Sequence, residues 1–200
     1  YCCNKNKTNQ LMPFTKDIEA CIKTLQDGGL ILYPTDTIWG IGCDATNEAA
    51  VAKIYSLKKR ADEKSMIVLL AAAKDLLQYV TQPPPNIFDY LKEVSKPTTV
   101  IYEGAINVAD NLINKDGSIA IRIVKDEFCK QLVKRFRKPI VSTSANISGA
   151  PSSQNFTTIN AVIKNGVDYI VQHRRDDVAT TTPSTIVKWN ADGSLHILRP

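Results

Sequence analysis

The chain has 200 residues, of which 44% are hydrophobic and 22% charged, and its formal net charge is +5. This composition is ordinary for a soluble globular protein, and the length fits one large domain with its own core. No apolar run approaches the roughly 20 residues that span a bilayer, so we expect no membrane association. The modest positive charge favours anionic partners such as nucleotides, phosphates or RNA.

The cysteines indicate a reducing compartment. They are odd in number, and no pair of them stands near another Cys or His pair at the spacing of a metal site. We therefore expect reduced thiols in a cytoplasmic protein, and the polar N-terminal residues do not resemble a signal-peptide core. Two of the five lie on apolar helix stripes and are predicted to be buried; the set is Cys2, Cys3, Cys21, Cys43 and Cys129.

The first third of the chain alternates helices and strands. An apolar repeat predicts a helix that begins near Thr15 or Asp17 and stops at Gly28-Gly29. A buried strand over residues 30–33 and a loop over residues 35–42 follow. A second helix is predicted for residues 46–59, with a buried stripe formed by Ala50, Ile54, Leu57 and Ala61.

A cationic segment joins this helix to the next apolar strand, predicted for residues 66–71. The segment carries Lys58, Lys59, Arg60 and Lys64. Because a buried strand anchors one side of it, its charges can be aimed at a polyphosphate. The alternative is a solvated face, partly balanced by neighbouring acids and favoured by the dipole at a helix C-terminus.

Residues 118–124 alternate strictly between two faces of a predicted strand. Ser118 and Arg122 therefore point to the same side, with a small residue between them that leaves room for a ligand. A surface strand with Arg122 in water explains this stretch equally well. Upstream, the pattern predicts a short helix near residues 76–80, a helix over 87–94 and a strand over 98–102, and it assigns no structure to 103–117.

The last part of the chain contains a helix over residues 129–136 and a strand over 139–141 that opens into a hydroxyl-rich segment, 142–152. Such a turn at a strand end can hold an anion or a sugar. A helix near 157–164, a strand over 169–171 and a hairpin of strands 184–189 and 195–199 follow, closed by a turn at 190–193. We predict an N-terminal extension over residues 1–14 and one α/β domain over 15–200. Its twisted mixed parallel and antiparallel sheet is flanked by helices.

Known nucleotide-binding and nucleophile motifs are absent from the sequence. It has neither G-x-G-x-x-G nor G-x-x-x-x-G-K-[ST], and neither of its histidines, His173 and His196, lies in a catalytic or metal-binding pattern. What remains are cations and hydroxyls near the ends of strands and helices. Phosphoryl and nucleotidyl transfer can proceed by positioning and electrostatic stabilisation alone, so the sequence is compatible with such chemistry.

Six motifs, in order and in register, resemble those of the YrdC-like family of threonylcarbamoyl-AMP synthases. They are Tyr33-Pro-Thr-Asp-Thr-Ile-Trp-Gly-Ile-Gly42, Lys58-Lys-Arg60 with Lys64, Ser118-Ile-Ala-Ile-Arg122, Ser142-Thr-Ser-Ala-Asn-Ile-Ser-Gly149, Ser184-Thr-Ile-Val187 and Leu198-Arg-Pro200. The resemblance covers about residues 15–200 and implies the short form without an extra C-terminal domain. Three positions depart from the family pattern: Trp39 replaces the usual Tyr, Lys64-Ser65-Met66 replaces K-P-L, and Leu69 stands where many members carry His.

The resemblance implies a concave, basic cavity in which L-threonine, bicarbonate and ATP yield threonylcarbamoyl-AMP and pyrophosphate, with Mg²⁺ accompanying ATP. It assigns threonine binding to Thr37, Arg122, Ser142 and Ser184. It assigns ATP binding to Arg60, Lys64, Ser118, Ser144, Asn146, Ser152 and Arg199, and places Lys58 and Arg60 in the catalytic set. No metal ligand on the protein follows from it.

The implied product serves threonylcarbamoyladenosine formation in tRNA, so a downstream threonylcarbamoyl transferase is an expected partner. One alternative is a module that binds tRNA or double-stranded RNA through the same basic cavity without catalysis. It predicts salt-sensitive binding, although no aromatic-rich RNA platform is evident. Another is the carbamoyl-adenylate role found in hydrogenase maturation proteins, whose zinc-finger-like and acylphosphatase segments are missing from this sequence.

Overall fold

The structure, a computed structural model, describes residues 12–59, 66–178, 182–189 and 194–200. The helices are α1 (Thr15–Gln26), α2 (Glu48–Lys58), α3 (Ile87–Glu93), α4 (Glu127–Phe136) and α5 (Ala161–Asn165), with 3₁₀ turns at Ala73–Gln78 and Asp110–Leu112. The strands are β1 (Ile31–Tyr33), β2 (Gly40–Gly42), β3 (Ile67–Leu70), β4 (Thr98–Tyr102), β5 (Ile119–Ile123), β6 (Ile140–Ser144), β7 (Tyr169–Ile170), β8 (Thr185–Trp189) and β9 (Leu195–Arg199).

The strands in the described parts of the chain form one mixed sheet in the order β7-β1-β2-β6-β3-β5-β4-β8-β9. The pairs β1–β7, β3–β5 and β4–β8 are parallel, and the other neighbours are antiparallel. This arrangement confirms the predicted α/β class and mixed sheet. It also brings strands from distant parts of the chain next to one another at the centre of the molecule.

Two apolar cores cover the two faces of the sheet. Leu69 packs with Phe128 of α4 and Ile18 of α1, whereas Val68 packs on the other side with Ile54 of α2. Successive residues of β3 thus serve opposite cores, as the pleat requires. Because both faces are buried, the centre of the sheet is rigid, and side chains at its strand ends are held in place.

Side-chain caps set the starts of two helices. The amide oxygen of Asn47 accepts a hydrogen bond from the Ala50 N–H (3.0 Å), and the carboxylate of Asp126 accepts one from the Cys129 N–H (3.0 Å). Both pairings have the geometry of N-caps, which satisfy otherwise unpaired donors in the first turn. Helix α2 therefore begins after Asn47 and delivers Lys58 to a fixed position at its other end.

The predictions for two strands, for the start of the helix near 157–164, which is Ala161–Asn165 in the structure, and for the buried face of α2 were wrong. Residues 40–42, predicted as loop, form β2, because two glycines let the backbone pass close to its neighbours. Strand β6 runs on to Ser144, so the hydroxyl segment belongs partly to the sheet. Leu57 is only half-buried, and the buried face of α2 instead includes Val51 and Tyr55; Ala61 and the hairpin turn at 190–193 lie outside the described residues.

Cys21, Cys43 and Cys129 are free and buried, which confirms the prediction for Cys21 and Cys129. Burial raises the pKa of each of these thiols far above its ordinary value. They act as small apolar groups in the core. None of the helices in the described parts of the chain is both long and apolar enough to cross a membrane.

Candidate active site

A cavity of about 200 Å³ opens where β3, β5, β6, β8 and β9 meet the loop between β1 and β2. Its walls combine hydroxyl groups and two arginines with a few apolar side chains. Seven of the predicted site residues line it, which confirms that they converge on one hollow. Its lining comprises Thr37, Ile38, Gly40, Met66, Ile67, Arg122, Ser142, Thr143, Ser144, Ser152, Pro183, Ser184, Ile186 and Arg199.

The loop before β2 is shaped by the hydroxyl of Thr35. That oxygen donates to the Ile38 carbonyl (2.7 Å), accepts from the Thr37 N–H (3.0 Å) and lies 2.9 Å from the Thr37 hydroxyl. Short-range bonds of this kind stabilise a turn against extended alternatives. Thr35 therefore fixes Thr37, which is 5% exposed, at the cavity wall.

Arg122 projects from β5 and is almost fully buried, with 3% of its surface exposed. One terminal nitrogen donates to the Thr37 hydroxyl (3.3 Å), and the other lies 3.1 Å from a carboxylate oxygen of Asp36. The Nε–H has no hydrogen-bond partner within the described residues. A buried guanidinium with an unused donor is prepared for an oxygen acceptor such as a carboxylate.

Arg199, at the end of β9, forms the second cationic wall. Its guanidinium donates twice to the Ser184 carbonyl (3.0 and 2.8 Å), while the Ser184 hydroxyl lies 2.8 Å from that of Thr99. Burial, together with the positive charge of Arg122, lowers the pKa of Arg199. The two arginines are therefore close enough to repel each other, and an anion between them would relieve that repulsion.

The hydroxyls of β6 reach the cavity because neighbouring backbone stays close. Gly40 pairs with Ser144 across β2 and β6, and Ile67 pairs with Ser142 across β3 and β6. A Cβ atom at Gly40 would lie 3.2 Å from the Ser142 hydroxyl oxygen. A side chain there would press on the serine, so this glycine preserves space in the cavity.

Lys58 lies behind the cavity rather than on its wall. It is 1% exposed, and its ammonium donates to the backbone carbonyls of Ser144 and Asn146, the latter at 2.6 Å. The Asn146 amide in turn donates to the carbonyls of Ile147 (3.1 Å) and Ala150 (2.5 Å). Lys58 and Asn146 are thus brought together, and both brace the loop that carries the site serines.

The remaining predicted site residues differ in position. Ser118 is buried and accepts a hydrogen bond from the side chain of Asn114 (2.9 Å), and it is not among the cavity-lining residues. Arg60 and Lys64 lie outside the described residues. The binding and catalytic roles of all these residues stay predictions.

Two of the family departures do not line the cavity. Leu69 is fully buried against helices α1 and α4, and Trp39 packs on Phe156 with 4.9 Å between ring centroids. Sequence reasoning also missed two polar residues, Asp36 and Thr99. Asp36 could have been noticed between the two threonines of its motif, whereas Thr99 depends on a strand register that pairs it with Arg122.

Taken together, the fold and the cavity define an α/β protein with a hollow lined by two arginines and several hydroxyl groups. The chain belongs to the Sua5/YciO/YrdC family, whose profile, described as "Telomere recombination", matches residues 23–200. It is 30% identical to the threonylcarbamoyl-AMP synthase of Coxiella burnetii over 161 residues, 80% of this chain and 86% of the relative. It is 32% identical to that of Pseudoalteromonas translucida over 172 residues, 84% and 91% of the two chains.

Solved structures share the fold. P. abyssi Sua5 complexed with L-threonine matches this chain with a TM-score of 0.81 and 23% sequence identity. The match covers 92% of this chain and 54% of the P. abyssi chain. E. coli YciO has a TM-score of 0.78 and 21% identity, covering 92% and 88%. This chain therefore spans about half the length of the P. abyssi protein.

Proposed function

We propose that this protein is a nucleotidyltransferase that forms threonylcarbamoyl-AMP and pyrophosphate from L-threonine, bicarbonate and ATP. The observation that carries the proposal is Arg122, a buried guanidinium on the cavity wall with an unused Nε–H. The names of the two bacterial relatives support the reaction, and the threonine complex of P. abyssi Sua5 supports the amino acid.

The threonine carboxylate binds Arg122 in this proposal. A planar guanidinium matches a carboxylate in two parallel hydrogen bonds, and both groups are shielded from water. Thr37, Ser142 and Ser184 lie on the same wall and offer hydroxyls to the rest of the amino acid. The guanidinium and hydroxyl groups of the cavity lining suit the charged and polar groups of an amino acid.

ATP binds at the neighbouring wall formed by Ser144, Ser152 and Arg199. Arg60 and Lys64 are the further cations that we expect to contact its phosphates. Lys58 was predicted from sequence to be catalytic, but in this proposal it supports the loop behind the cavity. Its ammonium donates hydrogen bonds to the Ser144 and Asn146 carbonyls. Asn146 likewise supports the nucleotide wall through its loop.

The chemical step joins the two ligands. The threonine amine first combines with bicarbonate, a C–N bond forms and water leaves, which gives a carbamate. A carbamate oxygen then attacks the α-phosphorus of ATP; a new P–O bond forms as the bond from the α-phosphorus to the α,β-bridging oxygen breaks, and pyrophosphate leaves with that oxygen. A carbamate is a weak nucleophile, so the rate depends on alignment and on cations near the leaving group. Arg122 and Arg199, anchored by internal bonds, supply that fixed geometry.

Mg²⁺ would enter with ATP and offset charge on the departing pyrophosphate. No group of three or more His, Cys, Asp or Glu side chains that could hold a metal occurs in the described parts of the chain. We further propose that a threonylcarbamoyl transferase acting on tRNA consumes the product.

The test is pyrophosphate release by the purified protein with ATP, threonine, bicarbonate and Mg²⁺, omitting one component at a time. Release should require all of them, and the adenylate should be identified by mass spectrometry. Serine, valine and allothreonine serve as matched amino acids. Release that does not depend on threonine, or binding of structured RNA with no adenylate formed, would contradict the proposal.

A further inference from the structure

Asp36 is a buried acid beside the substrate arginine, and no role follows for it from the sequence. Its side chain is 8% exposed, and one carboxylate oxygen lies 3.1 Å from a terminal nitrogen of Arg122. Asp36 is not among the residues that line the cavity, whereas Arg122 is. Asp36 instead lines an adjoining cavity, and Pro183 borders both cavities.

The contact with Asp36 balances the charge of Arg122 without using all the N–H donors of its guanidinium group. The geometry is that of an ion pair rather than of an aligned hydrogen bond, since neither Asp36 oxygen has a hydrogen-bond partner among the described residues. The two terminal nitrogens of Arg122 face Thr37 and Asp36, and the Nε–H stays unbonded. Burying an isolated guanidinium is costly, and a partner that leaves one edge open solves that problem while preserving a ligand site.

We propose that Asp36 is a positioning residue: it holds the Arg122 guanidinium so that its free edge receives the carboxylate of the amino-acid substrate. This inference rests on the proposed function for the identity of the ligand. Asp36 acts only through Arg122, because it does not itself line the cavity.

Two consequences of removing the acid oppose each other. Asp36→Asn removes a negative charge that repels the substrate carboxylate, which lowers the KM for threonine. It also releases the arginine, whose other side-chain bond in the described structure is a 3.3 Å contact with Thr37, and this raises the KM. Loss of orientation dominates in our proposal, since a two-bond match with a carboxylate fails when the guanidinium rotates.

The experiment measures pyrophosphate release by the wild-type protein, Asp36→Asn and Asp36→Glu, varying threonine and ATP separately. We expect Asp36→Asn to raise the KM for threonine about tenfold, the lower range seen for outer partners of binding groups. The KM for ATP should change less than twofold, and Asp36→Glu should recover most of the loss. In an Arg122→Gln background, Asp36→Asn should have no further effect on threonine. A lowered KM for threonine, or additive effects of the two substitutions, overturns the proposal.

A matched control is Asp17→Asn. Asp17 is also buried, at 6% exposed, and accepts hydrogen bonds from the backbone N–H groups of Gln172 and His173 (2.9 Å each). Its loss should lower the melting temperature and leave the KM for threonine unchanged. If Asp36→Asn behaves in the same way, Asp36 is structural and the proposal fails.

A second measurement separates this proposal from the proposed function. The Arg122 Nε–H signal is assigned in a ¹⁵N spectrum by its loss in Arg122→Gln. It should sharpen on addition of threonine in the wild-type protein and broaden in Asp36→Asn. An unchanged signal in Asp36→Asn overturns the positioning role, whether or not the wild-type protein makes an adenylate. Failure of the wild-type protein to release pyrophosphate overturns only the reaction.

Discussion

Two of the concavities in the described part of the molecule lie at opposite ends of β3 and β6, and they differ in how their charges are held. The first is the candidate active site near Ile67 and Ser142. The second, which we call the basic cleft, has a volume of about 370 Å³ and adjoins Leu70 and Pro139. Its cations are Lys74, Lys130, Lys134, Arg137 and Lys138.

The basic cleft is larger and carries more positive side chains, yet all of them are exposed to solvent. Lys138, for example, pairs with Asp44 (2.7 Å) while its side chain is 52% exposed. In the candidate active site, by contrast, Arg122 is 3% exposed and bonded on two sides. Exposed charges are mobile and screened, so neither size nor charge count identifies the site; burial and internal bonding of the polar groups do.

The largest effect is expected when the buried charge is removed. Arg122→Gln should lower kcat/KM for threonine at least about 30-fold, since breaking a buried charge pair costs roughly 2–5 kcal/mol. Pyrophosphate release measures it, with Arg135→Gln as control, because Arg135 is 41% exposed in its pair with Glu19. Equal losses in the two variants would remove the distinction between buried and exposed arginines.

The next largest effect is expected on the stability of the fold when Lys58, which supports the loop behind the cavity, is replaced. Lys58→Met should destabilise the fold by about 2–3 kcal/mol, because the Ser144 and Asn146 carbonyls lose a buried donor. For a chain of this length, that corresponds to a fall in melting temperature of roughly 5–10 °C. Lys59→Met is the control, since Lys59 is exposed and adjacent.

The same pair of variants tests the role predicted from sequence. A directly catalytic Lys58 would leave the melting temperature of Lys58→Met unchanged and abolish activity alone. A supporting Lys58 lowers the melting temperature and shifts the KM for ATP through the loop that carries Ser144. The KM for ATP is measured below the melting transition, where the protein is folded, and is compared with the fall in melting temperature. A fall in melting temperature together with a changed KM for ATP indicates a supporting Lys58, whereas loss of activity at an unchanged melting temperature indicates a catalytic one.

The sequence was sufficient for most of the helices and strands and for seven of the residues that line the cavity. Strand alternation put Arg122 on the same face as Ser118, and the family resemblance assigned Thr37, Ser142 and Ser184 to the amino-acid site. The structure brings Arg122 and these three residues to one cavity. The face of Arg122 could be predicted because this residue lies within a regular strand, β5, where the local pattern determines the direction of the side chain.

What could not be predicted depends on contacts between distant segments. The burial of Lys58 under the Ser144 loop joins residues 86 positions apart, and the pairing of Thr99 with Ser184 joins residues 85 apart. The strand at Gly40–Gly42 was missed because glycine has weak intrinsic strand preference and its tertiary neighbours decide. Local pattern carries no information about such registers.

The partly buried histidine His173 should have a smaller, pH-dependent effect on the stability of the fold. The His173 ring lies against Phe14 (4.9 Å) and Phe128 (5.6 Å), and burial followed by the charge of Arg174 lowers its pKa. The unfolded chain then binds a proton more readily, so the stability is present above pH 6.5 and is lost as pH falls below it.

We expect the melting temperature to fall by about 2 °C or less between pH 7 and pH 5.5 on account of this residue, since solvent screens a ring that is not fully buried. The measurement compares the wild-type protein with His173→Gln, in which the fall over that interval should be smaller. An equal fall in both proteins would assign the pH dependence to other groups.

The smallest effect is expected in the basic cleft. Lys130 and Lys134 are i,i+4 neighbours on α4, Arg137 is the residue that caps its C-terminal end, and all three are exposed. Converting them together to Gln should change kcat/KM less than twofold, and relief of the i,i+4 repulsion should raise stability by a few tenths, roughly 0.2–0.5 kcal/mol. The assay is pyrophosphate release at low and high salt. A drop in activity approaching that of Arg122→Gln, seen only at low salt, would mean that long-range attraction of the nucleotide, and not burial alone, distinguishes the two concavities.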